Sequence, residues 1–148
     1  MKLTLLFSLL VIISAGMHEK TRTIEYNGKA VKTTYEIPAE FYGTYAGAKK
    51  GYLTLQQDGT GIYNYDIFGF ASSECKKDVI HIEWGFLLDE KNNIVSFERE
   101  YGRSYPILLK STGATSFQGC RTEVMLDFIM KYKNGSLGIS SSDDWLKQ

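Results

Sequence analysis

Glu123 to Tyr132 read EVMLDFIMKY, and two periodicities compete within that stretch. Val124, Leu126, Phe128, Met130 and Tyr132 recur at every second position, the period of a strand with one buried face. Met125, Phe128, Ile129 and Tyr132 also keep the i, i+3, i+4, i+7 spacing of an amphipathic helix, with Gly135 placed to cap its C-terminus. The residues beyond Tyr132 favour the strand. Asn134-Gly135 suits the positive φ angles of a hairpin turn, and a second extended run, SLGIS, begins directly after it. Glu123 to Tyr132 is therefore expected to be a strand, which makes the whole chain all-β rather than mixed.

Working outward, the same turn chemistry recurs. Asn27-Gly28 separates TRTIEY from AVKTTYEI, and Asp58-Gly59 separates GYLTLQQ from TGIYNYD, each pair reading as a hairpin. DVIHIEWGFLLDE and IVSFEREYG flank a slightly longer turn at KNN, and SYPILLKS adds a strand whose Pro106 belongs at an edge or bulge. IPAEFYG around Pro38 reads as a single helical turn, and SSSDDWLKQ as a short terminal helix with Ser142 as N-cap. These segments predict an antiparallel meander of about 8–10 strands, with at most short helical turns, that curls and closes into a barrel. No repeat or Pro-rich spacer divides residues 20–148, which read as one domain.

The 148 residues are 43% hydrophobic and 23% charged, the profile of a folded globular domain. Basic and acidic residues balance at 17 each, so no broad basic field is present to neutralise nucleic-acid phosphates. MKLTLLFSLLVIISAG places Lys2 before an apolar run that ends in small residues, the layout of a secretory signal peptide. That run is shorter than the roughly 20 residues a membrane-crossing helix needs, and Met17 stands where a lipid anchor requires cysteine. Cleavage of residues 1–16 is expected, giving a secreted or periplasmic product with no membrane span and a charge of about −1. Outside the cytoplasm, Cys75 and Cys120 are expected to form a disulfide, worth about 4 kcal/mol in the chain-entropy description. Two cysteines without neighbouring histidines lack the ligand count of a structural zinc site.

Alternation assigns the faces. In VIHIEWGFLL, Ile80, Ile82, Trp84, Phe86 and Leu88 share one face, opposite Val79, His81, Glu83 and Gly85. Val95, Phe97, Arg99 and Tyr101 share another. Gly43-Thr44-Tyr45, followed by LTLQQDGTG from Leu53 to Gly61, resembles the opening strands of lipocalin-like small exported barrels, which often begin with glycine, any residue and tryptophan. Tyr45 stands in place of the tryptophan. The resemblance covers residues 41–65 and implies a barrel whose interior holds an apolar or amphipathic small molecule.

The candidate ligand-binding residues are Arg99, Trp84, Phe97, Tyr101, Phe128, Phe68 and Phe70. Ile82, Trp84, Phe86, Phe97, Tyr101, Phe128 and Met130 form the inward set, which either lines a pocket or fills the interior itself. A guanidinium keeps its charge, so an inward Arg99 needs a carboxylate from protein or ligand. At a barrel mouth, the same residue pairs instead with Glu98, Glu100 or Asp127. Phe68 and Phe70, in IFGFASSEC, read as a lid, as a loop shielding the core, or as a contact patch for a partner. His81 shares a face with Glu83, yet no nucleophile can be set beside the pair, and no catalytic residue, metal ligand or cofactor is assigned. SSSDDW and DEKNN carry oxygen donors without the spacing of a calcium loop. Asn134-Gly135-Ser136 matches a glycosylation sequon, although its place in a turn explains Asn134 equally well. The leading functional expectation is an exported protein binding a small apolar or amphipathic ligand, with an enzyme, marked by a cleft that joins His81, Glu83 and a nucleophile, ranked third. The alternative is a packed structural or protein-interaction module of the cell envelope.

Overall fold

Asn27 and Gly28 take positive φ angles of 51° and 74°, the backbone that a two-residue type I′ hairpin requires and that Asn-Gly supplies with little strain. The flanking strands, β1 (Thr21–Tyr26) and β2 (Lys29–Thr34), pair in register from Tyr26↔Lys29 to Thr21↔Thr34. The computed structural model describes residues 19–46, 51–64, 79–100, 102–113, 121–131, 136–140 and 145–148. Residues 1–18, Phe68, Phe70, Cys75, Tyr101, Cys120, Tyr132, Asn134-Gly135 and Ser142 lie outside the described residues, so the leader, lid, disulfide and sequon expectations fall there.

After a 3-10 turn at Ala39–Phe41 come β3 (Gly43–Ala46), β4 (Tyr52–Leu55), β5 (Thr60–Asn64), β6 (Val79–Leu87), β7 (Phe97–Arg99), β8 (Gly102–Ser111), β9 (Glu123–Lys131), β10 (Ser136–Ser140) and β11 (Trp145–Lys147). The described residues form an all-β antiparallel sheet in the order β1-β2-β6-β5-β4-β3-β11-β10-β9-β8-β7, with β6 also pairing β8. Strand is the outcome at Glu123–Lys131, which pairs with β8 along seven positions from Ser104↔Ile129 to Lys110↔Glu123. The amphipathic-helix alternative is excluded there.

Several expectations are corrected. Eleven strands are described rather than 8–10, because short segments such as β7 and β11 find ladder partners. Trp145–Lys147 is a strand between β10 and β3, not a terminal helix; an open edge on β3 outweighs local capping chemistry. The Asp58-Gly59 hairpin uses a longer loop than two residues. Gly59 N–H donates to the Gln56 carbonyl at 3.1 Å, Gln56 N–H to the Thr60 carbonyl at 2.9 Å, and Gly59 has φ of 79°. That pattern is a tight turn closed by a glycine bulge. After the KNN turn, Leu88 and Ile94 share only an isolated bridge. The next strand, β7, pairs with β8 instead.

Pro106 sits where its missing N–H does no harm. On one edge of β8, β7 pairs with Gly102–Ser104 and β6 with Ile107–Ser111. Tyr105 and Pro106 fall between the two ladders, as the rule confining proline to unpaired ladder positions anticipates.

The β6 alternation holds. Ile80, Ile82, Trp84 and Phe86 are at most 1% exposed, Leu88 is half-buried, and Val79 and His81 face outward. Ile80, Ile82, Trp84 and Phe86 pack with Tyr45, Leu53, Leu55, Ile107, Leu109 and Phe128 into one core, each fully buried large side chain contributing about 1.5–3 kcal/mol. The N-terminal hairpin lies outside this core. β2 pairs with Leu87 and Phe86 through Thr33 and Thr34, and Gly85 lets it approach, because a Cβ there would stand 2.3 Å from Thr33 Oγ1. Arg22 anchors the hairpin to the β4–β5 turn: Nη1 donates to the Gly59 carbonyl at 3.0 Å, the guanidinium lies 4.4 Å from the Tyr35 ring centroid, and Glu83 is 3.7 Å away.

Candidate functional site

Ile37 to Tyr42 brings apolar side chains to one end of the core. Pro38 precedes the 3-10 turn, and the Phe41 N–H donates to its carbonyl at 2.9 Å, which turns Phe41 inward to a nearly buried position. The segment is fastened from both sides. The Tyr42 hydroxyl donates to the Tyr35 carbonyl at 2.9 Å, and the buried Tyr45 hydroxyl donates to the Phe41 carbonyl at 2.7 Å. Burial, and secondarily the nearby Glu40 carboxylate, push the Tyr45 phenol well above its ordinary value, since both disfavour a phenolate. Lys147 Nζ donates to the Glu40 carbonyl from the terminal strand.

Beside this segment lies a pocket of about 280 Å³ lined by Ile37, Pro38, Glu40, Phe41, Phe86, Ile94 and Tyr105. Its volume stands near the lower bound of small-molecule sites, which begins at about 300 Å³. The aromatic wall is continuous with the core. Phe86 lies 6.4 Å from Tyr105, 5.4 Å from Phe128 and 6.0 Å from Trp84, all edge-on, and Phe41 lies 5.2 Å from Phe128. Such edge-to-face contacts fix ring orientation at a favourable energy of about 0.5–1.5 kcal/mol each. The floor of the pocket is therefore rigid. Glu40 is the one charged side chain in the lining, and Tyr105 adds a hydroxyl. Next to Tyr105 on β8, Arg103 is engaged by Glu98, whose Oε1 accepts from Nε at 2.7 Å. The Glu98 hydrogen bond and charge, with a smaller contribution from Tyr105, hold Arg103 above its ordinary value.

The sequence candidates divide. Trp84 and Phe128 are fully buried and form the wall behind the pocket without lining it. Phe97 and Arg99 are not inward, which corrects the alternation reading of that strand: Phe97 is 48% exposed, and Arg99 is exposed with its guanidinium 5.6 Å from the Phe97 ring centroid. The physical reason is β7 itself, a three-residue strand attached to the end of β8 beyond the reach of β6. A period-two pattern marks a buried face only where something covers it. Arg99 also makes no ion pair among the described residues, so neither the buried-carboxylate arrangement nor the pairing with Glu98, Glu100 or Asp127 is formed; Glu98 is taken by Arg103. Tyr101, Phe68 and Phe70 lie outside the described residues.

Glu40, Phe41, Ile94 and Tyr105 were missed. Tyr105 was legible, since Arg103, Tyr105, Ile107 and Leu109 alternate on one face of SYPILLKS and its preceding residues. Phe41 and Glu40 belong to an irregular segment with no period to read. His81 is exposed on the outer face of β6, and Glu83 is directed to Arg22; no hydrogen bond joins the two among the described residues. Among the described residues no helix is long and apolar enough to cross a membrane, and no group of three or more His, Cys, Asp or Glu is arranged to hold a metal ion.

Comparison with protein-family models, with curated proteins and with solved structures finds no match to this chain.

Proposed function

We propose that this chain is an exported small β-barrel protein that holds one small apolar or amphipathic molecule in the pocket beside the 3-10 turn. Barrel closure is supported by the two-sided pairing of β6. Stepping from partner to partner through β5, β4, β3, β11, β10, β9 and β8 leads back to β6 through the Ile82↔Ser111 to Phe86↔Ile107 ladder. The lipocalin-like relationship rests on Gly43-Thr44-Tyr45 and the hairpin after it, with Tyr45 buried at the first strand of that circuit. Export rests on the composition of residues 1–16.

The ligand reading is carried by one observation: an apolar recess of about 280 Å³, walled by Phe41, Phe86, Ile37 and Ile94, that the core does not fill. Filling it tests the reading. Fluorescence of the neutral apolar probe N-phenyl-1-naphthylamine is expected to rise on binding to the wild type and to lose most of that rise in Ile94→Trp. Equal enhancement in both proteins would place the probe elsewhere and remove the pocket from consideration.

A second reading, a structural or partner-binding module of the cell envelope, is favoured by the aromatic packing. Trp84, Phe86, Phe128 and Tyr45 are each at most 1% exposed, so the middle of the core is filled by the chain itself. On that reading, no small molecule accompanies the purified protein in native mass spectrometry.

A further inference from the structure

Among the residues lining the pocket, Glu40 and Tyr105 are the two with polar side-chain groups. We infer that the pocket selects small organic cations, an amine carried on an aromatic or short alkyl body, with Glu40 as the charge partner. This rests on the pocket being a ligand site, as proposed above, and adds the chemical class of ligand.

The charges around the pocket carry the inference. Arg103 and Glu98 are paired with each other, and the Lys147 ammonium donates to the Glu40 main-chain carbonyl, with no ion pair to the Glu40 carboxylate among the described residues. Glu40 is the one charged residue of the lining, and its carboxylate is in no ion pair among the described residues. An ammonium entering beside it also meets the faces or edges of Phe41, Phe86 and Tyr105, and aromatic faces attract cations where water is partly excluded. A carboxylate ligand would meet a like charge at the same place. Glu40 is exposed, so water weakens the attraction to the range of surface ion pairs, and the preference for a cation over a neutral isostere is expected to be about two- to fivefold.

The test compares three matched probes, 2-phenylethylamine, 2-phenylethanol and phenylacetate, titrated into the full exported product and followed by amide chemical shifts. The amine is expected to bind about two- to fivefold more tightly than the alcohol, and phenylacetate more weakly than either. In Glu40→Gln, an exposed and isosteric change, the amine should fall to the affinity of the alcohol while the alcohol stays unchanged. Equal affinities for amine and alcohol in the wild type, or a preference that survives Glu40→Gln, would overturn cation selection and leave the pocket itself standing. Saturable shifts for none of the three probes would overturn both.

Discussion

Arg22 Nη1 donates to the carbonyl of Gly59 at 3.0 Å, joining the N-terminal hairpin to a turn far from it in sequence. The contact exists because residue 59 has no side chain. A Cβ there would stand 2.4 Å from Arg22 Nη2 and 2.6 Å from Tyr35 Cγ, and φ of 79° disfavours any other residue. Gly59→Ala is expected to cost about 2–4 kcal/mol, combining strain with crowding. Gly28→Ala shares the positive φ but meets open space, so its cost should be limited to about 1 kcal/mol. Urea unfolding of both variants checks this; equal losses would show that Arg22 and Tyr35 yield freely.

Gly85 and Thr33 form a comparable pair on the other side of the hairpin. Gly85→Ala places a methyl group 2.3 Å from Thr33 Oγ1, against a strand held by only two register pairs to β6. A loss of about 1–3 kcal/mol is expected. In the Thr33→Ala background the loss should shrink, and a double-mutant cycle measures the difference. Strict additivity would mean that the hairpin does not press on Gly85.

The buried Tyr45 phenol makes stability fall in alkali. Its folded-state pKa lies above the ordinary value of 10.0, so its contribution is fully present below pH 10 and is lost as pH rises from there through the folded-state value. Urea midpoints measured between pH 8 and pH 11 should decline at the upper end. Tyr45→Phe should flatten that decline while losing about 1 kcal/mol at neutral pH with the bond to the Phe41 carbonyl. An unchanged alkaline slope in the variant would assign the effect to other groups.

The proposed export, with the bridge expected between Cys75 and Cys120, gives a prediction about the product itself. Protein recovered outside the cytoplasm should begin near Met17, show no reactive thiol until reduced, and lose about 4 kcal/mol of stability on reduction. Intact mass with and without alkylation under denaturing conditions measures the first two properties. Two free thiols in the exported product would refute the bridge.

Strand positions were legible wherever alternation met a covered face. Ile80 to Phe86 and Val124 to Phe128 announce their inward sides because the core lies against them, and Asn27-Gly28 announces its turn because few dipeptides tolerate its backbone. Phe97 and Arg99 carry the same alternation without cover, and sequence has no way to express that β7 stops beyond the end of β6. Trp145–Lys147 was obscured for the opposite reason. Its local residues suit a helix cap, and its strand state comes from pairing with β3, a hundred residues earlier in the chain. The pocket was hidden because half its lining comes from the irregular segment at Ile37 to Phe41, where no period exists to reveal which way a side chain turns.

Amide hydrogen exchange along β6 tests the proposed closure of the antiparallel circuit through this strand most directly. The Trp84 N–H donates to the Gly59 carbonyl on the β5 side at 3.0 Å, and the His81 carbonyl accepts from Thr112 on the β8 side at 2.8 Å; alternation then turns the Glu83 and Gly85 amides toward β8. Closure predicts strong, comparable protection of Ile82, Glu83, Trp84 and Gly85. Rapid exchange at Glu83 and Gly85 beside protected Ile82 and Trp84 would make β6 an open edge, and the barrel would be contradicted.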